Sequence, residues 1–176
     1  ETSRNIGAVN TIVNKNDKFI GTNTDWIGAV KALEERVLLN GKKVAVLGAG
    51  GASRAVIFGL KQKGALIHIF NRTIENAENL KEEFRLEGAH MLNNADRISE
   101  MDIIINTTSV GMAPNADVSP IPIEGIKSNH FVFDIIFAPR DTKLLQYANA
   151  KKAAVIYGER MLLHQAEKQF RIWTGE

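Results

Sequence analysis

Apolar positions along this chain follow two rhythms. Val44-Ala45-Val46-Leu47, Ile103-Ile104-Ile105 and Phe131-Val132-Phe133 are short unbroken apolar runs with no polar face. Runs of that length fit strands of a parallel sheet covered on both sides. Strands are predicted at 43–47, 65–70, 89–92, 102–106, 131–136 and 153–156. Helices are predicted at 51–63, 74–86, 141–150 and 158–173, with a short one near 95–99. Upstream, Thr11-Ile12-Val13-Asn14 and Lys18-Phe19-Ile20-Gly21 flank Lys15-Asn16-Asp17 and predict a β-hairpin. Ile27, Val30, Leu33 and Val37 then share one helical face. Thr24 or Asp25 is placed to cap that helix, and Asn40-Gly41 to end it.

Strand and helix alternate from residue 43 onward, which indicates an α/β architecture. The first strand leads into Gly48-Ala49-Gly50-Gly51-Ala52-Ser53, and the next ends in Asn71-Arg72-Thr73. Strand, glycine-rich turn, helix and strand make the outline of a dinucleotide-binding βαβ unit. Gly48 permits the tight turn. Gly50 leaves backbone bare for a pyrophosphate, and the helix that follows offers free N–H groups to its charge. Ser53 stands where a small residue lets helix and strand pack closely. The expected fold class is therefore α/β: a Rossmann-like, doubly wound, mostly parallel sheet with helices on both faces.

The end of the second strand bears on cofactor choice. An NAD site places Asp or Glu about 20 residues after the glycine turn, to hold the ribose 2′-hydroxyl. Here the position holds Asn71, Arg72 and Thr73. A guanidinium pairs with a 2′-phosphate that a carboxylate would repel. NADP is the expected cofactor. Ligands of such sheets bind beyond the carboxyl ends of the strands. Segments 48–52, 106–112 and 134–139 are all chemically dressed strand ends, and they are expected to line one crevice.

Composition narrows the picture. The chain has 176 residues, 44% hydrophobic and 24% charged, with a net charge of +2. Its basic residues are scattered, so no nucleic acid is expected. It has no cysteine, which excludes disulfides, thiol nucleophiles and thiolate metal sites. His68, His90, His130 and His164 show no metal-ligand spacing and are read as structural or surface groups, so no metal site is expected. No apolar run reaches membrane-spanning length and no signal peptide opens the chain, so no membrane partner and a cytoplasmic location are expected. The start at Glu1, without an initiator Met, reads as a piece of a longer protein.

Several stretches together resemble the C-terminal, NADP-binding part of the shikimate dehydrogenase family. They are Ile6-Gly7-Ala8-Val9-Asn10-Thr11, Gly21-Thr22-Asn23-Thr24-Asp25, segment 48–52, Asn71-Arg72-Thr73, Asn106-Thr107-Thr108-Ser109-Val110-Gly111-Met112, segment 134–142 and segment 158–165. They cover nearly the whole chain in family order. The resemblance implies reversible NADPH-dependent reduction of 3-dehydroshikimate to shikimate, in aromatic amino acid biosynthesis. It implies substrate contacts from Asn10, Asp25 and Gln165, with Asp25 taking part in proton transfer. It implies cofactor contacts from Gly48, Ala49, Gly50, Gly51, Ala52, Asn71, Arg72, Thr73 and Thr107, and from the backbone of Ile135 and Gly158.

Two departures from the family pattern stand out. The family's catalytic Lys belongs to an N-terminal substrate domain that this chain does not include, so the isolated chain is expected to be inactive. Phe137 stands where the family commonly has a substrate-contacting Tyr, keeping the ring without the hydroxyl. The expected division is 1–27 as an edge of the substrate domain, 28–157 as the NADP-binding domain, and 158–176 as a helix packing back toward the substrate domain. Partners are expected to be the small-molecule substrate and, at the level of assembly, a homodimer. A quinate/shikimate dehydrogenase and a non-catalytic NADP-binding module stand as alternatives.

Overall fold

The structure, a computed structural model, describes residues 2–175. Six strands form one sheet: β3 (Lys43–Leu47), β4 (Leu66–Asn71), β5 (Gly88–Met91), β6 (Ile103–Asn106), β7 (Phe131–Asp134) and β8 (Ala154–Tyr157). Their order is β5-β4-β3-β6-β7-β8 and every pairing is parallel. The chain thus starts at the centre, winds out to one edge, returns, and winds out to the other. The switch point lies between β3 and β6, where a doubly wound sheet opens its crevice.

Alternation along β3 shows how the unbroken apolar runs are used. Val44 and Val46 face one core with α2 (Asp25–Glu34), α3 (Gly51–Gln62) and α4 (Ile74–Phe84). Ala45 and Leu47 face the other, with α5 (Ala95–Ser99) and α6 (Lys143–Ala150). All four side chains are fully buried. Burial of Val44, Val46 or Leu47 contributes on the order of 1.5–3 kcal/mol each.

Outside the sheet, α1 (Thr2–Ile6) leads into the antiparallel hairpin of β1 (Thr11–Lys15) and β2 (Lys18–Thr22). The last helix, α7 (Gly158–Thr174), lies along α2. That contact depends on Gly28: a Cβ there would stand 2.6 Å from the Met161 carbonyl oxygen. The other side of α2 meets α3 at Gly59, where Trp26 packs edge-on against Phe58 at 5.5 Å. Trp26 is a packing residue.

Some boundaries differ from those predicted, each for a local reason. Helix α1 was not anticipated, since five residues are too few for a periodic signal. Regular α2 stops at Glu34, although the Val37 N–H still bonds the Leu33 carbonyl; the chain then turns so that Leu39 enters the core. Neither Thr24 nor Asp25 caps α2 through its side chain. Asn23 does that work instead, its Oδ1 accepting from the Asp25 N–H at 3.0 Å. Strand β7 ends at Asp134 rather than 136, because Asp134 Oδ1 accepts the Ile136 N–H and turns the chain. Helix α6 starts at Lys143, capped by Thr142, whose Oγ1 accepts from the Leu145 N–H.

Candidate active site: a crevice over the carboxyl ends of the strands

At the end of β3 the chain turns through Gly48, whose φ of +103° few L side chains adopt. A Cβ at Gly48 would also stand 2.8 Å from Thr108 Cγ2. The glycine therefore serves both the turn and the close approach of the neighbouring 106–112 loop. Gly50 precedes α3 and supplies no side-chain cap, so the first-turn N–H groups of α3 lack an intrahelical partner. A Cβ on Gly50 would meet nothing within 4 Å, so open space lies directly over these donors. Ser53 is fully buried and its Oγ donates to the Gly50 carbonyl at 2.6 Å, bracing the turn from inside.

The β6 and β7 ends are braced by a buried pair. Asn106 Nδ2 donates to Asp134 Oδ1 at 3.1 Å and to the Val110 carbonyl at 3.2 Å. Asn106 Oδ1 accepts from the Thr108 N–H and hydroxyl, while Asp134 Oδ2 accepts from Thr142 Oγ1 at 2.7 Å. Burial pushes the Asp134 carboxyl up, and the hydrogen bonds from Thr142, Ile136 and Asn106 oppose that. Asp134 is thus a scaffold for the loops rather than a wall of the crevice. Thr107 Oγ1 is likewise tied, donating to the Leu47 carbonyl at 2.6 Å.

Three hollows follow one another over these strand ends. The first, about 390 Å³, runs between Gly48–Ala49–Gly50 and the 107–110 loop and ends at Asn71 and exposed Arg72. The second, about 280 Å³, is predominantly apolar and shares Thr107, Thr108 and Ser109 with the first. Met112, Ile135, Ile136 and Phe137 complete it. The third, about 270 Å³, shares Ile135 and Phe137 with the second and reaches Asn10, Asp25, Gly158 and Gln165. The three dressed strand ends thus line adjacent hollows that share walls in a series from Arg72 to Asp25. Gly51 and Thr73 do not line them: Gly51 opens α3 and Thr73 precedes α4. Asn71 lines the first, while its Nδ2 is engaged with the Thr73 carbonyl at 2.9 Å.

A polar network closes the third hollow. Asn10 Oδ1 accepts from the Thr24 N–H at 2.9 Å and from Thr11 Oγ1 at 2.8 Å. This turns its NH₂ group to Asp25 Oδ1, at 2.7 Å, and to Thr24 Oγ1, at 3.1 Å. Thr24 Oγ1 donates in turn to Gln165 Oε1 at 3.2 Å. Burial pushes the Asp25 carboxyl above its ordinary value, against the Asn10 hydrogen bond. A carboxyl so placed holds a proton more readily than a solvated one and can exchange it with a bound hydroxyl. On the outer side, Glu35 clamps α7 to α2 through Arg160 Nε at 2.9 Å and His164 Nε2 at 2.6 Å. The Arg160 hydrogen bond is the largest cause holding Glu35 down at about 2.

Two features escaped the sequence reading. Gln169 lines the third hollow; its position four residues after Gln165, on one helix face, was the available signal. His68 and His90, read as scattered, meet at 3.1 Å on β4 and β5 over Gly88, which leaves room for both rings. Only strand pairing could bring them together. Among the described residues no group of three or more potential metal ligands occurs.

These residues fit a bound dinucleotide: an uncapped helix start beneath open space, a guanidinium at one end, and an apolar slot leading to a polar pocket. Comparison with known proteins agrees. The family description "Shikimate / quinate 5-dehydrogenase" matches residues 31–155, and "Shikimate 5'-dehydrogenase C-terminal domain" matches residues 158–176. The chain belongs to the shikimate/quinate 5-dehydrogenase family. It is 44% identical to the shikimate dehydrogenase (NADP(+)) of Geobacillus kaustophilus, over 100% of this chain and 66% of that protein. It superposes on the crystal structure of shikimate dehydrogenase from Aquifex aeolicus with TM-score 0.91 and 42% identity, covering 99% of this chain and 64% of that one. The Thermus thermophilus enzyme, solved with NADP(H) and shikimate, gives TM-score 0.90 and 36% identity, over 99% and 65%. The chain thus spans just under two thirds of the length of these relatives.

Proposed function

We propose that this chain is the cofactor-binding part of an NADP-dependent oxidoreductase that interconverts 3-dehydroshikimate and shikimate. The observation that carries the reading is the series of adjacent hollows with Arg72 at one end and the Asn10–Asp25–Gln165 cluster at the other. In the assigned roles, the 48–52 turn and the start of α3 take the pyrophosphate. Asn71 and Arg72 line the groove end that takes the adenosine 2′-phosphate, with Thr73 following them at the start of α4. Thr107 and the backbone of Ile135 and Gly158 flank the nicotinamide, and Asn10, Asp25, Phe137 and Gln165 face the substrate. The names of the close relatives, which specify NADP(+), support the cofactor choice.

A nicotinamide bound there would supply the hydride for the C3 carbonyl carbon of the substrate, or accept it in the reverse direction. The carbonyl electron pair then moves onto oxygen, which must gain a proton. Asp25 is placed to share that proton with the substrate, because burial favours its protonated form and Asn10 holds its Oδ1 in one orientation. No lysine lines the third hollow. The proton partner of Asp25 is therefore assigned to the remainder of the full chain, and activity to the full chain rather than to this segment.

We keep the division into a substrate-domain edge (1–27), a cofactor domain (28–157) and a returning helix (158–176). The hairpin supports it by leaving Phe19 80% and Ile12 61% exposed, a surface suited to covering by further chain or a second copy. A homodimer and a cytoplasmic location are part of the same proposal; no described helix is long and apolar enough to cross a membrane. The test is shikimate-dependent reduction of NADP⁺ by the full chain, with quinate in parallel. Shikimate turnover that falls roughly 10²–10⁴-fold in Asp25→Asn is expected. Absence of shikimate-dependent NADP⁺ reduction overturns the proposal, and preferential oxidation of quinate moves the substrate assignment.

A further inference from the structure

Arg54 lies in the first turn of α3, where the positive end of the helix dipole disfavours a cation. A cation there would be expected to serve the pyrophosphate, yet Arg54 does not line the first hollow. Its guanidinium points the other way. Nε donates to the Ile6 carbonyl at 2.7 Å, and Nη2 pairs with Glu83 of α4. The group also lies 5.3 Å from the centroid of the Phe84 ring, and the side chain is only 23% exposed. A planar fork with several partners is held in one direction, which a lone ammonium is not.

Gly7 completes the contact. Its φ is +72°, and a Cβ there would stand 2.6 Å from Arg54 Nη2. The backbone at residue 7 therefore rests directly on the guanidinium. From this anchor the chain crosses the start of α3, where Ala8 Cβ would lie 3.7 Å from a Cβ on Gly51. Ile6 is fully buried, and the Ala8 carbonyl accepts from Asn23 Nδ2 at 3.3 Å. The strap ends at Asn10, whose NH₂ group holds Asp25 Oδ1 at 2.7 Å. A hydrogen bond of that length does not survive a displacement approaching 1 Å.

We infer that Arg54 is a positioning residue: by pinning the Ile6 carbonyl to α3, it sets where Asn10 holds the Asp25 carboxyl. One helix thus carries the pyrophosphate donors at its start and the anchor of the proton site on its side. The inference rests on the proposed role of Asp25 in shikimate oxidation, and adds a residue that touches neither substrate nor cofactor.

The test is full-chain kinetics with shikimate and NADP⁺, as a function of pH, alongside calorimetric titration of NADP⁺. Arg54→Met should lower kcat/KM for shikimate roughly 10- to 100-fold, as expected for a displacement approaching 1 Å. NADP⁺ affinity should stay within about two-fold, because the turn itself is untouched. The Asn10 hydrogen bond holds the Asp25 carboxyl down against burial. Loosening it raises that carboxyl, so the acid limb of kcat/KM should move to higher pH. Arg54→Lys, still able to donate to the Ile6 carbonyl, should fall between parent and Arg54→Met. Glu83→Gln removes only the outer ion pair and should stay within about two-fold of the parent. Gly7→Ala presses on the same contact from the opposite side and should move the acid limb in the same direction, which keeps the inference testable if Arg54→Met does not fold. A folded Arg54→Met or Gly7→Ala variant with the parent's acid limb and kcat/KM overturns the inference, leaving Arg54 a packing role. So does an equal loss of NADP⁺ affinity, which would place the effect at the glycine turn. A parent without shikimate-dependent NADP⁺ reduction overturns the function proposal itself, which separates the two failures.

Discussion

Gly28→Ala offers a direct test of how the two helices beside the third hollow are held. An added Cβ would lie 2.6 Å from the Met161 carbonyl oxygen and 2.9 Å from Gln165 Cβ. Ordinary Cβ contacts begin at 3.4 Å, so α7 must retreat by about 0.5–0.8 Å. Overpacking of this kind costs about 1–3 kcal/mol. Alanine recovers about 1 kcal/mol through its higher helix propensity. The net loss is about 1 kcal/mol, or a Tm lower by about 2–4 °C for a chain of this size. The functional effect is larger. The Thr24–Gln165 hydrogen bond is already 3.2 Å, and a retreat of α7 breaks it. Misplacement approaching 1 Å lowers kcat/KM by as much as about 10²-fold. The groove at Arg72 involves neither α2 nor α7, so NADP⁺ affinity should stay within about two-fold. Thermal unfolding, cofactor titration and full-chain kinetics measure the three quantities. A variant more stable than the parent with undiminished turnover would falsify the claim that Gly28 sets the α2–α7 distance.

Arg72→Ala should weaken NADP⁺ binding about 10- to 30-fold while leaving NAD⁺ affinity unchanged, since an exposed charge-assisted pair is worth about 1.5–2 kcal/mol; calorimetric titration of both cofactors decides it, and an unchanged preference refutes the assignment. Asp25→Asn should stabilise the chain near neutral pH. The folded-state pKa of Asp25 is raised by burial, so the folded chain binds that proton more readily than the unfolded one. Its contribution to stability therefore falls as pH rises from the unfolded value through the folded one, and stays unfavourable above it. The Tm advantage of Asp25→Asn should thus shrink as pH is lowered through that window; an advantage independent of pH removes the burial argument.

Local chemistry determined a great deal of this protein. Unbroken apolar runs such as Ile103-Ile104-Ile105 announced strands buried on both faces, because no other placement hides them from water. Gly48 announced the turn, because its positive φ and the close approach of Thr108 leave no room for a side chain. Arg72 stands exposed at the end of the first hollow, where its charge acts whatever the detailed packing. Short-range signals were weakest where tertiary contacts compete with them. Asn23 rather than Thr24 or Asp25 closes the start of α2, and Asp134 ends β7 early by capturing the Ile136 N–H.

Only the folded chain could decide the third hollow. Asn10, Asp25 and Gln165 are far apart in sequence, and their meeting depends on α7 lying against α2 over Gly28. The orientation of the Gln169 amide depends on hydrogen-bond directions passed through Thr11, Asn10 and Thr24. The same holds for the His68–His90 contact, which exists because β4 pairs with β5 in one register. A sequence states which groups can donate, accept or hide from water. Which partner each one finds is set by helix packing and strand register, because hydrogen bonds act over about 3 Å.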